Sequence, residues 1–240
     1  MHMYLITGNR NVQKFFRSSR SFNFENLVVV VSQRILGVPP ADARKLGEDN
    51  SGRGTVPLGD VGERGRIWQK IVDISHSSFY GKESLSWLAD KWITEFLKDI
   101  DSPHSPLGQE WTEMPIYKFL SKLMLASSVT MIMGPRWVEE CPTFDADIWD
   151  FDDEFQMLLI GAPRFLCRRG WNARNRLLAS TKRWLARAWS EFDWRDEKIK
   201  GLEWEENFGH RVVREREQVL KEYGLSLDGR ASFELGLIWA

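Results

Sequence analysis

The 240-residue sequence is poor in the residues that build stapled or metal-centred domains. It holds two cysteines, Cys141 and Cys167, and four histidines, His2, His76, His104 and His210. Neither cysteine belongs to a Cys-x-x-Cys or Cys/His grouping, and the histidines are scattered with no His-Glu-x-x-His spacing. Neither a disulfide framework nor a metal centre is expected. Long apolar runs are also missing. The longest purely aliphatic stretch, Leu27 to Val31, falls far below the ~20 residues that cross a bilayer, and the first residues lack the apolar core of a signal peptide. No transmembrane segment is expected, and the chain reads as cytoplasmic or peripheral to a membrane. The formal net charge is only −1, which argues against a generic nucleic-acid binder, so no nucleic-acid partner is expected.

What the sequence does have is aromatic and apolar bulk. It is 42% hydrophobic and 12% aromatic with twelve tryptophans, enough for a sizeable core. Burying a large side chain contributes roughly 1.5–3 kcal/mol, so leaving many tryptophans in water is costly and a wholly disordered chain is excluded.

The stretch Phe144 to Phe192 is the best ordered in pattern. Ile148, Trp149, Phe151, Phe155, Leu158 and Leu159 recur at helical spacing among six carboxylates between Asp145 and Glu154. Gly161-Ala162-Pro163 stops that helix. A second helix carries Leu177, Thr181, Trp184, Leu185, Ala188 and Phe192 on one stripe, with Asn172 as its expected N-cap. From Arg164 to Arg187 there is no acid, so an acidic helix meets a basic one.

Elsewhere, Met3 to Ile6 reads as a short strand, and Val12, Phe15 and Phe16 fit one face of a short basic helix. Phe22 to Leu36 fits either a strand or a buried helix. Gly37 to Gly65 is rich in glycine and proline and reads as a long loop, either a lid or disordered. Its Ser51-Gly52-Arg53-Gly54-Thr55 matches no phosphate-binding motif. Helices are expected at Arg66 to Ser75 and at Glu83 to Asp99, the latter with Leu85, Leu88, Ala89, Trp92, Ile93 and Phe96 as a core stripe closed by Pro103 and Pro106. A third, Met114 to Met133, places Ile116, Phe119, Leu120, Leu123, Met124 and Ser127 inward. Glu191 to Glu206 reads as irregular, Phe208 to Tyr223 as a helix stopped by Gly224, and Ala231 to Ala240 as a new apolar segment.

No residue presents itself as catalytic. Asp73, Ser75, His76, Ser77 and Ser78 invite a Ser/His/Asp reading, but neighbours this close on a helix cannot converge on one substrate atom, so His76 is read as structural. The carboxylates from Asp147 to Glu154 lack calcium-loop order and read as a solvated face. Arg164, Arg168, Arg169 and Arg174 with Phe165 and Trp171 suit an anionic membrane surface, so peripheral membrane contact through 164–187 stands beside a plain basic face.

Seven stretches then fall in a recognisable order: Met3-Tyr4-Leu5-Ile6-Thr7-Gly8 with Val12 to Arg20; Arg66-Ile67-Trp68; Phe119 to Thr130 with Met133-Gly134-Pro135; Trp149-Asp150-Phe151-Asp152; Gly161-Ala162-Pro163-Arg164; Ala173 to Leu178; and Leu235 to Ala240. Together they resemble the N-terminal half of fungal cytochrome P-450 enzymes, in the branch akin to sterol 7α-hydroxylases and prostacyclin synthase. The resemblance implies a mainly α, partial cytochrome P-450-like fold with a short N-terminal β element. It implies a single incomplete domain over 1–240, with a substrate-covering loop at 37–65 and a helical distal half at 66–240 truncated where the oxygen-activating helix begins. It also implies heme as cofactor and a lipophilic small molecule as substrate, with a redox partner only if the full-length enzyme exists and a location peripheral to the endoplasmic reticulum membrane.

By the same resemblance Trp68 reaches a heme propionate. The basic residue usual one turn later is here Val72, so Arg66 or Lys70 would stand in. Phe151, Phe155 and Leu159 would line the roof of the substrate site. Neither cysteine sits in a heme-ligating loop, so the chain alone is expected not to be competent. The rival expectation is a non-catalytic helical binding module derived from the family.

Overall fold

The acidic and basic blocks do pack as two antiparallel helices. The computed structural model describes residues 5–18, 25–59, 61–101 and 113–239. The elements are helices α1 (Asn9–Arg17), α2 (Glu25–Val31), α3 (Pro40–Gly47), α4 (Ile67–Phe79), α5 (Lys82–Ile100), α6 (Ile116–Met133), α7 (Pro135–Glu140), α8 (Phe144–Leu159), α9 (Arg168–Glu191), α10 (Glu197–Lys200), α11 (Arg211–Glu222) and α12 (Leu227–Trp239), with a small hairpin of β1 (Trp204–Glu205) and β2 (Gly209–His210) that packs on α6 and α11. The fold is mainly α with one short β element.

Helix α9 buries the expected stripe of Leu177, Thr181, Trp184, Leu185 and Ala188. Against it lie Phe151 and Leu158 of α8, Trp137 of α7, and Phe208 from the turn of the hairpin, forming the larger core. A smaller core gathers Leu46 of α3, Ile67 and Trp68 of α4, Leu220 of α11 and Phe233 of α12. The basic face of α9 is neutralised within the fold: Arg169 pairs with Asp150 and Asp153, Arg176 with Asp147, Arg183 and Arg187 with Glu140, and Lys182 with Asp228. Asn172 is not the cap. The helix begins four residues earlier, at Arg168, because Gly170 lets it approach α8 and its N–H donates to Glu154 Oε2 at 2.7 Å.

The short β element sits late in the chain. Met3 and Tyr4 lie outside the described residues, and Leu5 to Thr7 form no strand. Gly209, at φ 69°, nests against the backbone end of α6, where a Cβ would collide with Ile132 and Gly134. Phe22 to Leu36, left open between strand and helix, is helical from Glu25 and ends in a π turn over Ser32–Leu36. The expected loop at 37–65 contains α3, because Pro40 at the first helical position starts a helix rather than breaking one.

Two core assignments fail. On α5 only Leu88 is buried, while Leu85 and Ile93 are exposed; Pro103, His104 and Pro106 lie outside the described residues. On α6 the second half buries Ser127, Val129, Met131 and Met133, but Ile116, Leu120 and Met124 face out. Among the described residues α6 is also the one helix long and apolar enough to cross a membrane by length and composition.

Candidate functional site

Phe151, Phe155 and Leu159 are spaced by four residues, so α8 sets them in one row. Phe151 is fully buried, and Phe155 and Leu159 are half-buried. Trp239, at the end of α12, closes on this row. Its ring centroid stands 5.6 Å from Phe151 and 5.3 Å from Phe155, and its indole N–H donates to Asp152 Oδ1 at 2.9 Å. The row is thus an aromatic wall shared by two helices, oriented by one polar tether. Sequence reasoning missed Trp239, whose only signal was an aromatic residue within an apolar terminal segment.

The second candidate group clusters only in part. Trp68 is buried; its indole N–H donates to the Leu46 carbonyl at 3.3 Å, its backbone N–H to Asp49 Oδ2 at 3.1 Å, and its ring lies 6.2 Å from Phe233. Arg66 grips the preceding loop, with Nε to Ser51 Oγ at 3.0 Å, Nη1 to the Thr55 carbonyl at 3.1 Å and Nη2 to the Gly52 carbonyl at 3.3 Å. Asp49 completes this knot by accepting from the Ser51 N–H and hydroxyl. Arg66 and Trp68 therefore flank a loop held in one shape, while Lys70 stands exposed on the outer side of α4.

His76, its neighbouring serines and several α8 carboxylates have structural partners. His76 is exposed and meets Tyr80 edge-on, and the hydroxyls of Ser75 and Ser77 donate to the carbonyls of Ile71 and Ile74. Among these residues no nucleophilic triad forms. Four of the α8 carboxylates tie helices together, Asp145 to Lys122, Asp147 to Arg176, Asp152 to Trp239 and Glu154 to Gly170, while Asp153 stays largely in water. Among the described residues no three His, Cys, Asp or Glu side chains are grouped to hold a metal ion. A groove of about 560 Å³ lies between α6 and α8, lined by Tyr117, Lys118, Lys122, Asp145 and Trp149, not by the Phe151 row.

Cys141 and Cys167 are both buried. Burial pushes the Cys141 thiol up to about 11, partly opposed by a hydrogen bond with Ser180, and likewise raises Cys167.

No family model and no solved structure matches the chain. Three curated proteins do. The cytochrome P450 monooxygenase calL of Penicillium decumbens is 27% identical over 216 residues, covering 89% of this chain and 40% of its own length. The cytochrome P450 monooxygenase efuG of Hormonema carpetanum is 28% identical over 158 residues, 65% of this chain and 28% of its own. The cytochrome P450 monooxygenase fsoE of Humicola fuscoatra is 30% identical over 179 residues, 70% of this chain and 31% of its own. The chain thus spans well under half the length of the relatives it matches.

Proposed function

Because the chain belongs to the cytochrome P450 superfamily, we propose that it forms the substrate-facing portion of a heme monooxygenase acting on a lipophilic molecule. The observation that carries this reading is the ordered alignment with cytochrome P450 monooxygenases over most of the chain. Phe151 is fully buried, so within this wall the half-buried Phe155, Leu159 and Trp239 are the members with apolar surface left for such a substrate. Titration with a sterol, read by tryptophan emission, is expected to saturate, and to weaken severalfold in Phe155→Ala. A non-saturating response in the folded chain would count against the substrate class.

Heme is the cofactor that family membership implies, and the donor set of this chain does not fit its axial ligation. An axial thiolate requires a deprotonated, accessible sulfur. Cys141 and Cys167 are 1% and 0% exposed, and the Cys167 sulfur faces the carbonyls of Ala162 and Pro163 at 3.8 and 3.7 Å. Of the propionate candidates, Trp68 and most of the Arg66 donors are engaged by the bonds described above, and Lys70 stands exposed. We therefore read this chain, taken alone, as not competent for monooxygenation. Mixing it with hemin and carbon monoxide under reduction should give no absorbance band of thiolate-ligated heme; its appearance would overturn this part of the reading.

A second reading, a non-catalytic binding module, draws on the outward face of α6, where Ile116 is 70% and Tyr117 78% exposed. Light scattering separates the two: a module is a monomer or a defined oligomer, whereas a portion of a larger fold associates without limit.

We propose peripheral membrane contact at 160–168 rather than along the whole of 164–187, because most of the α9 cations are paired. Ile160, Phe165 and Leu166 are exposed beside Arg164 and Arg168, a basic and apolar tip suited to an anionic lipid surface. Co-sedimentation with phosphatidylserine vesicles should fall in Phe165→Ser/Leu166→Ser; unchanged sedimentation would remove the assignment.

A further inference from the structure

Where α11 meets α12, four charged side chains are taken out of water together. Arg216 and Glu217 come from α11, Arg230 and Glu234 from α12; the two glutamates are 0% exposed and the two arginines 7%. The pairing is lopsided. Glu217 Oε2 accepts from Arg230 Nη1 at 2.7 Å and from the Trp189 indole of α9 at 2.9 Å. Arg216 donates Nη2 to the Phe233 carbonyl at 3.1 Å, and its Nε stands 3.5 Å from Glu234 Oε1, outside hydrogen-bond geometry. Among the described residues neither oxygen of Glu234 has a hydrogen-bond partner.

A buried carboxylate in this position is expensive in its ionised form. Removing a charge from water costs several kcal/mol unless it is paired and hydrogen-bonded, and a carboxyl group in that position takes up a proton instead. Arg216 offers attraction without a bond, and Glu217 of like sign opposes ionisation. We propose that Glu234 is a proton-binding switch. As the neutral acid it rests in the dry α11–α12 junction, and on losing its proton to solvent it draws Arg216 into a hydrogen bond and shifts the seating of α12.

The groups facing Glu234 are Arg216 and Glu217 from α11, Arg230 from its own helix, and the Trp189 indole of α9 through Glu217. Burial lifts the Glu234 carboxyl to about 7, with Arg216 opposing and Glu217 reinforcing the rise. Glu217 is raised as well, again first by burial. Trp239 lies five residues beyond Glu234 on the same helix, so reseating α12 also moves the aromatic wall. That last consequence rests on the proposed substrate site; the proton site itself does not.

The sign of the linkage follows from the raised folded value. The contribution of Glu234 to stability is full below its ordinary value of 4.5 and is lost as pH rises through about 7. The test compares wild type with Glu234→Gln by urea unfolding at several pH values across that window. The variant is expected to gain on wild type steadily with rising pH, and a constant difference would overturn the proposal. Infrared spectroscopy of the folded wild type gives an independent reading that survives a poorly folding variant. A protonated-carboxyl stretch persisting at slightly acid pH and fading through neutrality, still present in Glu217→Gln, supports the assignment to Glu234; its absence from wild type overturns it. Emission of Trp239, taken as the difference from Trp239→Phe, should shift with the same midpoint, and a flat signal would overturn the reseating of α12.

Discussion

Asp147, 2% exposed within α8, accepts from Arg176 Nε across the α8–α9 interface at 3.0 and 3.2 Å, one contact to each carboxylate oxygen. Arg176 Nη2 adds a third contact, to Oδ1 at 2.5 Å, and among the described residues the one further side-chain donor is the Thr143 hydroxyl at 2.8 Å. Arg176→Ala therefore strands a buried carboxylate. The guanidinium is itself 53% exposed, so water replaces part of the loss, and we expect about 1–3 kcal/mol of destabilisation rather than the larger cost of a fully buried pair. Urea midpoints for Arg176→Ala and for Asp147→Asn/Arg176→Ala should show the double variant recovering part of that cost. A double variant no more stable than the single one contradicts the stranded-charge account.

Gly170 tests the same interface by shape. An added Cβ would sit 2.7 Å from Glu154 Cβ and 3.1 Å from the Asp150 carbonyl oxygen, neither of which is the free end of a flexible side chain. Alanine gains about 1 kcal/mol of helix propensity over glycine, whereas overpacking costs about 1–3 kcal/mol. The clash should win, so Gly170→Ala is expected to melt at lower temperature than wild type. A higher melting temperature means that the helices separate easily.

The α8–α9 pair was legible in the sequence because charge and apolar residues there are segregated on the period of a helix. The same logic failed on α5, where a stripe at Leu85 and Ile93 looked like core. Periodicity identifies which face is apolar, not whether another element covers it. Pro39-Pro40 read as a break because proline ends most helices, yet at the first turn it starts one, and α3 was missed. Within the candidate site, the row from Phe151 to Leu159 follows from spacing alone. The Trp239–Asp152 bond and the α11–α12 charge cluster do not, because they depend on contacts across the fold that no local pattern encodes.

Trp137 is fully buried, and its indole N–H donates to Thr181 Oγ1 at 3.1 Å. Thr181→Val keeps the volume and removes the acceptor, leaving a buried donor unpaired at a cost of about 1–3 kcal/mol. Trp137→Phe removes the donor and some volume. In a double-mutant cycle the combined loss should fall short of the sum of the single losses, since once one partner is gone the other has nothing left to lose. Strict additivity means that the two side chains do not interact.

Both thiols should resist alkylation in the native state. Iodoacetamide attacks the thiolate, and burial keeps Cys141 and Cys167 protonated at neutral pH as well as shielded from reagent. Labelling followed by mass spectrometry is expected to be slow and to accelerate with urea in step with global unfolding. Rapid native labelling at either residue would show that its surroundings open locally.

His210 provides the acid limb of the stability profile. Its ring is fully buried between Phe79, stacked at 6.1 Å, and Trp87 at 5.4 Å, and Nδ1 accepts from the Val212 N–H at 3.2 Å at the start of α11. That bond leaves the proton of the neutral ring on Nε2, which stands 3.3 Å from Glu203 Oε1 but outside hydrogen-bond geometry. A lone carboxylate there would favour imidazolium. Glu203 also lies against Arg211 at 3.2 Å, and burial, followed by Arg211 and Arg214, pushes His210 down to about 4. A folded value below the unfolded one of 6.5 contributes stability that is present above 6.5 and lost as pH falls toward 4. This slope is opposite in sign to that of Glu234 over nearly the same range, so the unfolding profile of wild type alone understates both. His210→Asn keeps an acceptor for Val212 and removes the titration, so its stability deficit relative to wild type should shrink as pH falls from 6.5 to 4. The ring-proton NMR resonance of His210 should stay at its neutral position throughout mild acidification; a titration centred near 6.5 in the folded chain would refute the burial argument.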